Sequence, residues 1–549
     1  MKKNVEWLCV WLAVVVVVAA ATPVYGQRWG RPHSYGRSKA STVGSSGIGI
    51  ASETSKAEVD GSGTFMASAE ADAGDTKAKV MAMTTDGAAQ GSSTASMSGA
   101  GEMVMTEVSG DGMLTGEAKG SSSTASATAD GGDDNDLRAS AVGSGNTVST
   151  VVEDADMNHV EAVAHGDGNT VTATAEFGAE MNRVGAAARG DRNEVEAFAG
   201  FTADMNRVGA VAHGDGNTVI AFAVDDAEDN RVGAVARGDR NEVEASAEAG
   251  VGMNRVGAVA RGDDNMVMAV AEGADMNRVD AVARGDDNMV MAVAEFADMN
   301  RVDAVARGDD NMVMAVAEFA DMNRVDAVAR GDDNMVMAVA EFADMNRVGA
   351  AARGDNNTVE AFAEFAYMNR VDAVARGDDN TVIAEASEDA DDNRVDAVAR
   401  GNRNDVTVKA KKSDRNRLSA MARGNRNDVT VKAKKSDRNR LRALARGNRN
   451  DVTVETEESD RNRLSAMARG NRNDVTVETE ESDRNRLRAM ARGNRNDVTV
   501  KAKKSDRNRL RALARGNRND VTVKAKKAEG VVRPVLVRGN GRSKTVNVP

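Results

Sequence analysis

Apolar and polar residues alternate along this chain in short runs that recur about every eleven or twelve residues. From Asn277 the sequence reads NRVDAVARGDD and then NMVMAVAEFADM, and both halves share the pattern Asn-x-Val-x-Ala-x-Ala followed by a turn. Because successive side chains of a β-strand point to opposite faces, each half predicts one strand. The predicted inward residues are Asn277, Val279, Ala281 and Ala283 in the first half, and Asn288, Val290, Ala292 and Ala294 in the second.

Asparagine stands at the start of each predicted strand. The asparagines that follow a glycine-containing turn recur at steps of 23 or 24 residues, at Asn169, Asn193, Asn217, Asn241, Asn265, Asn288, Asn311, Asn334, Asn357, Asn380, Asn404, Asn427, Asn450, Asn473, Asn496 and Asn519. Such a period is typical of repeat proteins, in which each unit packs only on its neighbours. One Val and two Ala bury few methylene groups, at about 0.8 kcal/mol each, so many stacked copies are needed.

The pattern predicts an all-β fold, a two-sheet β-solenoid whose repeats of about 23 residues each contain two strand-turn halves of 11–12 residues. In a solenoid identical residues stack in register, and the stacked asparagine amides can form a hydrogen-bonded ladder. The alternative is an antiparallel cross-β meander, which would place Arg278 opposite Glu295 and Ala281 opposite Ala292. The pattern alone leaves both arrangements open.

The candidate site residues are structural, because turns and strand starts are the positions that change least between repeats. Glycine accepts a positive φ in a tight turn, and Asp or Asn side chains bond to their own backbone there. The predicted turn and ladder residues are Gly262, Gly285, Gly308, Gly331, Asn265, Asn277, Asn288, Asn300, Asn311, Asn323 and Asn334.

Six segments follow one another along the chain. Residues 1–26 are predicted to be a signal peptide, with Lys2 and Lys3 before an apolar stretch and small residues before Gln27. Residues 27–50 form a basic Gly/Ser-rich leader, 51–134 a degenerate β-repeat region, 135–392 a Met/Ala/Val-rich array, 393–527 a charged array, and 528–549 a C-terminal cap or tail. We therefore expect a secreted, extracellular protein without membrane insertion.

Composition favours a thin repeat fold. Lys and Arg number 72 against 85 Asp and Glu, which gives a net charge of −13, and the charges are dispersed over outward positions, so no nucleic-acid partner is expected. Aromatic residues make up only 3%. No proline lies between Pro32 and Pro534 to interrupt a strand ladder. The single Cys9 lies in the predicted signal peptide, so disulfides are not expected.

The turn of glycine, two residues and asparagine, followed by alternating small apolar residues, resembles the curlin repeat family, whose members form extracellular functional amyloid. The texture of Asn169-Thr170-Val171-Thr172-Ala173-Thr174-Ala175 is also similar to the cross-β silk fibroins of insects. The resemblance is one of pattern from about Asn135 to Lys527, and the glutamines of curlin repeats are absent, since the chain has only Gln27 and Gln90. It implies a secreted structural protein that self-associates into fibres or an extracellular matrix.

The alternative function is a surface adhesin with a repeat stalk. Arg-Gly-Asp, which resembles an integrin-binding loop, begins at Arg189, Arg237, Arg261, Arg284, Arg307, Arg330, Arg353 and Arg376. Paired aspartates such as Asp286 and Asp287 could also contact Ca²⁺. Because His165-Gly166-Asp167 and Arg423-Gly424-Asn425 occupy the same turn in other repeats, turn chemistry explains the triplet without a receptor.

No enzyme, cofactor or metal site is expected. The four histidines are His33, His159, His165 and His213, and those inside the array stand where other repeats have Arg. The outward Met289 and Met291 are expected to form a surface on which sheets pack.

Charged blocks close alternate strands of the second array. They are Lys409-Ala410-Lys411-Lys412, Lys432-Ala433-Lys434-Lys435, Glu455-Thr456-Glu457-Glu458, Glu478-Thr479-Glu480-Glu481, Lys501-Ala502-Lys503-Lys504 and Lys524-Ala525-Lys526-Lys527. Like charges on adjacent strands repel, so we expect a neighbouring chain in shifted register to supply the opposite charges.

Overall fold

A computed structural model describes the chain between residues 39 and 547, and its side chains between residues 124 and 525. Gaps in this description fall at 44–45, 53–55, 61–63, 73–76, 84–90, 99–102, 110–111, 120–123, 131–135, 154–158, 177–182, 201–206, 225–230, 249–254, 274–276, 297, 299, 320, 343, 366, 388–390, 505–506, 527–529, 533–535 and 539–542. The described residues belong to one compact unit, Ser38–Pro549. The predicted signal peptide lies outside the described residues.

The described backbone consists of short β-strands joined by turns. The first strands are β1 (Lys39–Val43), β2 (Ser46–Ser52), β3 (Lys56–Asp60), β4 (Thr64–Asp72), β5 (Lys77–Met83), β6 (Gly91–Ser98), β7 (Met103–Ser109), β8 (Gly112–Lys119) and β9 (Thr124–Asp130). The Met/Ala/Val-rich array contains β10 (Asp136–Val142), β11 (Thr147–Glu153), β12 (His159–His165), β13 (Thr170–Glu176), β14 (Arg183–Arg189), β15 (Glu194–Ala199), β16 (Arg207–His213), β17 (Thr218–Ala223), β18 (Arg231–Arg237), β19 (Glu242–Ala247), β20 (Arg255–Arg261), β21 (Met266–Glu272), β22 (Arg278–Arg284), β23 (Met289–Glu295), β24 (Arg301–Arg307), β25 (Met312–Glu318), β26 (Arg324–Arg330), β27 (Met335–Glu341), β28 (Arg347–Arg353), β29 (Thr358–Glu364), β30 (Arg370–Arg376) and β31 (Thr381–Ser387). The charged array and the C-terminal segment contain β32 (Arg394–Arg400), β33 (Asp405–Lys411), β34 (Arg417–Arg423), β35 (Asp428–Lys434), β36 (Arg440–Arg446), β37 (Asp451–Glu457), β38 (Arg463–Arg469), β39 (Asp474–Glu480), β40 (Arg486–Arg492), β41 (Asp497–Lys503), β42 (Asn508–Arg515), β43 (Asp520–Lys526), β44 (Gly530–Val532), β45 (Leu536–Arg538) and β46 (Ser543–Asn547).

Alternate strands build two parallel sheets. Sheet A contains the odd-numbered strands from β1 to β43 together with β46, and sheet B contains the even-numbered strands from β2 to β44 together with β45. Each strand up to β44 pairs with the strand two places along the chain, so β22 lies between β20 and β24, and β23 lies between β21 and β25. The two sheets stack as a β-solenoid, which confirms the predicted fold. We call one sheet B strand, the following sheet A strand and their turns a rung.

The strands pair in register, residue type on residue type. Ala281 pairs with Ala304, and Arg278 pairs with Arg301 rather than with Glu295. The antiparallel meander is therefore wrong, because every strand pair in the described residues is parallel. Parallel neighbours lie about 4.8 Å apart, so each residue type forms a row along the solenoid with that spacing.

The core lies between the two sheets and is made of small side chains. Val279, Ala281 and Ala283 of sheet B and Val290 and Ala292 of sheet A are at most 1% exposed, and the inward residues of both sheets form one continuous cluster. The alternation predicted from the sequence places these residues correctly. In the charged array the core changes little, because Leu418 and Val408 replace one Val and one Ala of the earlier rungs.

The ladders continue into both flanking segments. Strand β9, in the region predicted to be a degenerate array, pairs with β11 in the same register. Strand β1 lies within the segment predicted to be a leader, and β2 begins there and ends two residues beyond it. In the segment predicted to be a cap or tail, β45 pairs with β42 and β46 pairs with β43.

Two adjacent residues test the assignment of faces. Ala292→Lys should lower the free energy of local unfolding of the rungs around β23 by several kcal/mol, because it buries an unpaired ammonium group in a space that holds a methyl group. Val293→Lys is the matched control, since Val293 points outward and its row holds Lys409 in the charged array. Hydrogen exchange of the amides of β21 to β25, measured by mass spectrometry, should accelerate only for Ala292→Lys. Similar exchange in both variants would contradict the assignment.

Candidate functional site

Two kinds of turn complete each rung, and they form the two edges of the solenoid. The glycine turn, residues 285–288 in one rung, leads from sheet B to sheet A. The return turn, residues 296–300 in the same rung, leads back to sheet B. The two edges and the outer faces of the two sheets are the surfaces on which a partner could bind.

The glycine turn requires glycine because consecutive turns pack backbone against backbone. Gly285 has a φ of 132°, and a Cβ atom on it would lie 2.1 Å from the carbonyl oxygen of Gly262 in the preceding rung. Gly262, Gly308 and Gly331 repeat this geometry, with the nearest carbonyl oxygen at 2.0–2.2 Å. No other residue fits this position, since a Cβ atom would overlap the neighbouring rung.

Asparagine closes the glycine turn and forms a ladder along it. Asn288 is 1% exposed, and its backbone N–H and its Nδ2 both donate to Oδ1 of Asn311, at 2.9 and 3.1 Å. Asn265 donates to Asn288 in the same way, and Asn311 donates to Asn334. Each buried amide therefore satisfies a backbone N–H that the strand ladder leaves unpaired.

A second asparagine ladder runs along the return turn. The backbone N–H of Asn277 donates to Oδ1 of Asn300, and Asn300 donates in the same way to Asn323. All three side chains are 2% exposed. The structure thus places the asparagines selected from the sequence in two ladders, one at each edge of the core.

The glycine turn also carries an exposed row of carboxylates. The backbone N–H of Asp309 donates to Oδ1 of Asp286 at 2.8 Å, and Asp286 donates to Asp263 over the same distance. These aspartates are the third residues of the Arg-Gly-Asp triplets. Because one oxygen of each carboxylate bonds to the next rung, these contacts explain the triplet as part of the turn, and the integrin-like contact stays a prediction.

The next residue of the glycine turn carries unbalanced charge. Asp310 lies between Asp287 and Asp333 in its row, and loss of water around the stacked carboxylates, followed by the charges of Asp287 and Asp333, raises the pKa of Asp310. In the charged array Arg403 and its copies occupy this position. Where the two kinds of rung meet, Arg403 Nη2 lies 2.7 Å from Asp379 Oδ2.

Sheet A presents an apolar outer surface in four successive rungs. Met289 is 43% exposed and is stacked between Met266 and Met312, with Met335 next in the row. The outward residues Met291 and Val293 extend this surface across the strand. We call the outward Met and Val side chains of β21, β23, β25 and β27 the apolar face.

A phenylalanine stack lies on the return-turn edge, separated from the apolar face by the Glu295 row. Phe296, Phe319, Phe342 and Phe365 stack with ring centroids 4.8–5.1 Å apart and nearly parallel planes. They are 38–55% exposed and adopt φ values of 48–50°, which turns each ring outward from the core. This stack was not predicted from the sequence. Its signal was the recurrence of Phe at 23-residue steps in a chain with few aromatic residues.

The Lys and Glu blocks pair within the molecule. Lys432 and Lys434 reach Glu455 and Glu457 on the next rung, at 3.3 and 3.1 Å. On the other side of the two Glu blocks, Lys501 lies 3.1 Å from Glu478, and Lys504 bonds to Glu481. The expectation that a neighbouring chain must supply the opposite charge to these blocks was wrong, because each Glu block meets a Lys block one rung away.

A serine ladder and a buried pair of threonines were also not predicted from the sequence. Ser436 N–H donates to Oγ of Ser459 at 3.0 Å in the return turn, and Ser459 N–H donates to Ser482 at 2.9 Å, so a buried serine ladder lies beside the asparagines. Its signal is the recurring Ser-Asp-Arg-Asn of the charged array. In sheet A, Thr456 Oγ1 and Thr479 Oγ1 lie 3.2 Å apart inside the core.

The metal-binding, histidine and membrane features considered from the sequence can be compared with the structure. Within the part of the chain that the structure describes, His, Cys, Asp and Glu form no group of three or more that could hold a metal ion. His213 pairs with Arg189 and Arg237 in a strand row, and burial together with these two charges lowers its pKa. Among the described residues, no helix is long and apolar enough to cross a membrane.

Comparison of the chain with protein-family models and with curated proteins finds no match. The curlin-like and silk-like features are therefore resemblances of pattern, and the geometry of the ladders and faces carries the functional argument.

A single atom exchange tests the asparagine ladder. Asn311→Asp should destabilise its rung by about 1–3 kcal/mol or more, because it removes the Nδ2 donor to Asn334 and buries a carboxylate against an amide oxygen. Asn425→Asp is the control, since its exposed row already contains Asp378, and a change within about 0.5 kcal/mol is expected. Urea unfolding followed by circular dichroism gives both values. Equal destabilisation would mean that the buried amide has no special role.

Stacked glutamates predict a pH dependence of stability. Burial, followed by the charges of the adjacent glutamates, raises the pKa of Glu295 and of Glu341 above the ordinary value of 4.5. The folded state therefore favours their neutral forms, so their contribution to stability is fully present below pH 4.5 and is lost as the pH rises through the raised values.

The melting temperature should consequently rise when the pH falls from 7 towards about 4.5. Glu295→Gln with Glu341→Gln should reduce that rise, because glutamine does not titrate. Glu481 has the opposite sign, since its bond to Lys504 lowers its pKa, and its contribution is lost only when the pH falls below 4.5. An unchanged pH profile in the double variant would contradict the assignment to this row.

Proposed function

We propose that this chain is a secreted structural protein whose solenoids assemble side by side, through the apolar face, into fibres or an extracellular matrix. The observation that carries the proposal is the exposed surface of methionine, valine and stacked phenylalanine on consecutive rungs. Exposed apolar patches that cover several neighbouring residues mark interaction sites more often than scattered apolar side chains do.

A second copy of the chain is the partner that this surface fits best. The Met, Val and Phe rows advance by one rung, about 4.8 Å, so the same face of another copy has the same spacing along its length. Methionine side chains adapt to irregular contacts and add favourable contacts between sulfur and aromatic rings. The Met289, Met291 and Val293 rows carry no charged side chain from β21 to β27, so two copies can meet over these three rows without desolvating a charge, and the Glu295 row lies between them and the phenylalanine stack.

The repeat architecture also supports a structural role. Each rung contacts only its two neighbours, so the core of a solenoid can be lengthened by further rungs, unlike the closed core of a globular protein. The adhesin alternative stays a prediction. The Asp of each Arg-Gly-Asp turn already accepts a hydrogen bond from the next rung, so its carboxylate has a role in the turn that needs no receptor.

Substitutions borrowed from the chain's own charged rungs test the proposal. Met291→Thr, Met314→Thr and Met337→Thr place threonine in the row that holds Thr407 further along. The solenoid should keep its fold, while the concentration needed for assembly should rise about tenfold or more, which corresponds to a loss of about 1.4 kcal/mol per contact. Sedimentation velocity and electron microscopy of protein purified from the culture medium measure this threshold.

The matched control is Val282→Thr with Val305→Thr and Val328→Thr, which makes the same kind of change on the outer face of sheet B. This variant should assemble as the unmodified chain does. A wild-type chain that stays monomeric at every concentration, or equal effects of the two variants, would contradict the proposal. N-terminal sequencing of the protein in the medium tests secretion, and a chain that stays in the cell with residues 1–26 attached would contradict that part.

A further inference from the structure

The glycine-turn edge changes the sign of its charge along the solenoid. We call the residue before the closing asparagine the third position of the turn. Over six rungs the third positions are Asp264, Asp287, Asp310, Asp333, Asn356 and Asp379, and over the next six they are Arg403, Arg426, Arg449, Arg472, Arg495 and Arg518. We call these two stretches the acidic half and the basic half. They are equal in length.

Away from the boundary between the halves, the charges at the third positions face solvent and form no ion pair among the described residues. Asp287, Asp310 and Asp333 are exposed, and so are Arg449 and Arg472. Of the third positions in the described turns, only Arg403 and Asp379 form an ion pair, at the boundary between the halves. Asp378 and Asp379 are half-buried at that boundary, and hydrogen bonds from Asn402, followed by the charge of Arg403, lower the pKa of Asp378.

At the boundary the two halves form an ion pair with each other. One rung of separation is enough for an Arg in the third position to bond to an Asp in the third position. Asp287 and Asp310, like Arg449 and Arg472, have only like charges on both sides in their own row, and these repel at a spacing of about 4.8 Å. The basic half, with Asn402 and its copies beside the arginines, lines an open polar groove along the edge.

We propose that the glycine-turn edge binds a second copy of the chain in the reverse direction, so that the acidic half of each copy lies along the basic half of the other. A twofold axis at the boundary places Asp333 opposite Arg449, Asp310 opposite Arg472, Asp287 opposite Arg495, and Asp264 opposite Arg518 of the second copy. Such an isologous contact is self-complementary and closed. Asp264, Asp287, Asp310 and Asp333 follow one another at one charge per rung, as do the four arginines opposite them, so the spacing of the charges matches over these four rungs, while Asn356 lies opposite Arg426 without a charge.

The ends of the two halves agree with this pairing. Beyond Asp264 the next third position is Arg240, which has the opposite sign, and it would lie past the last basic rung of the second copy. A copy in the same direction and register would place like charges against each other, which disfavours that arrangement. A free polyanion fits less well, since the acidic half of the same edge repels it and an Asp, such as Asp405, follows each basic turn.

This contact rests on the proposed function only in that the chain associates with itself. It uses a different surface from the apolar face. The third position accepts either charge without a change of backbone, because Asp287 and Arg449 have φ values of 56° and 60°. Charge exchange at this position should therefore leave the solenoid intact.

Two variants of the full secreted chain test the contact. The first carries Asp264→Arg, Asp287→Arg, Asp310→Arg and Asp333→Arg, and the second carries Arg449→Asp, Arg472→Asp, Arg495→Asp and Arg518→Asp. Both are made on the background of Met291→Thr, Met314→Thr and Met337→Thr, which suppresses assembly through the apolar face. Circular dichroism and hydrogen exchange verify the fold, and sedimentation velocity with native mass spectrometry measures the dimer.

The background chain with its natural edge should dimerise, and its dissociation constant should rise at least tenfold between about 20 mM and about 500 mM salt, because the paired charges are exposed. Each charge-exchange variant alone should be monomeric, since its edge carries one sign. An equimolar mixture of the two should restore a heterodimer.

Dimers of either variant alone, or a mixture that stays monomeric, would overturn the contact. A natural edge that stays monomeric yet binds dextran sulfate would overturn it in favour of a polyanion partner. The outcomes are separable from the proposed function: loss of the dimer with apolar assembly intact removes only this contact, and loss of apolar assembly with the heterodimer restored removes only the proposed function.

Discussion

The structure depends on one close approach, that of the glycine turn to the same turn of the preceding rung. The carbonyl oxygen of Gly262 lies where a Cβ atom of Gly285 would be, so consecutive rungs can pack only in register and only with glycine. The length of this turn is constant, since ten residues separate Arg207 from Asn217 and Arg278 from Asn288. The steps of 24 residues therefore place their extra residue on the return side.

A thin core makes the hydrogen-bonded ladders necessary. Valine and alanine bury little apolar surface per rung, so the strand ladder and the two asparagine ladders must supply order that a globular protein obtains from large side chains. Buried amides can fill this role because the side-chain oxygen accepts the backbone N–H of the neighbouring rung, and Nδ2 of Asn288, Asn311 and Asn334 also donates between rungs. The arrangement also limits what can change inside the solenoid, since a replacement must fit between two identical neighbours.

In-register stacking turns every outward residue into a row, and rows of charge create repulsion that the chain handles in different ways. The Lys and Glu blocks alternate every two rungs, so that each Glu block meets a Lys block. The carboxylates of the second turn position accept backbone N–H groups of the next rung. The glutamates of sheet A shift their pKa. Away from the boundary of its two halves, the third position of the glycine turn forms no ion pair in the described rungs.

The sequence by itself determined the period, the strands, the inward and outward faces and the positions of the turns, because alternation and glycine chemistry are local. It also pointed to the asparagines Asn277 and Asn288, since they recur at every strand start. It could not choose between parallel and antiparallel pairing, because both give sensible neighbours to Ala281. Only the tertiary structure decided that choice, since it depends on which strand lies beside which. The same step brought together the phenylalanine stack, the intramolecular Lys–Glu pairs and the two charged halves of one edge, because residues 23 apart in the chain become neighbours only when the rungs stack.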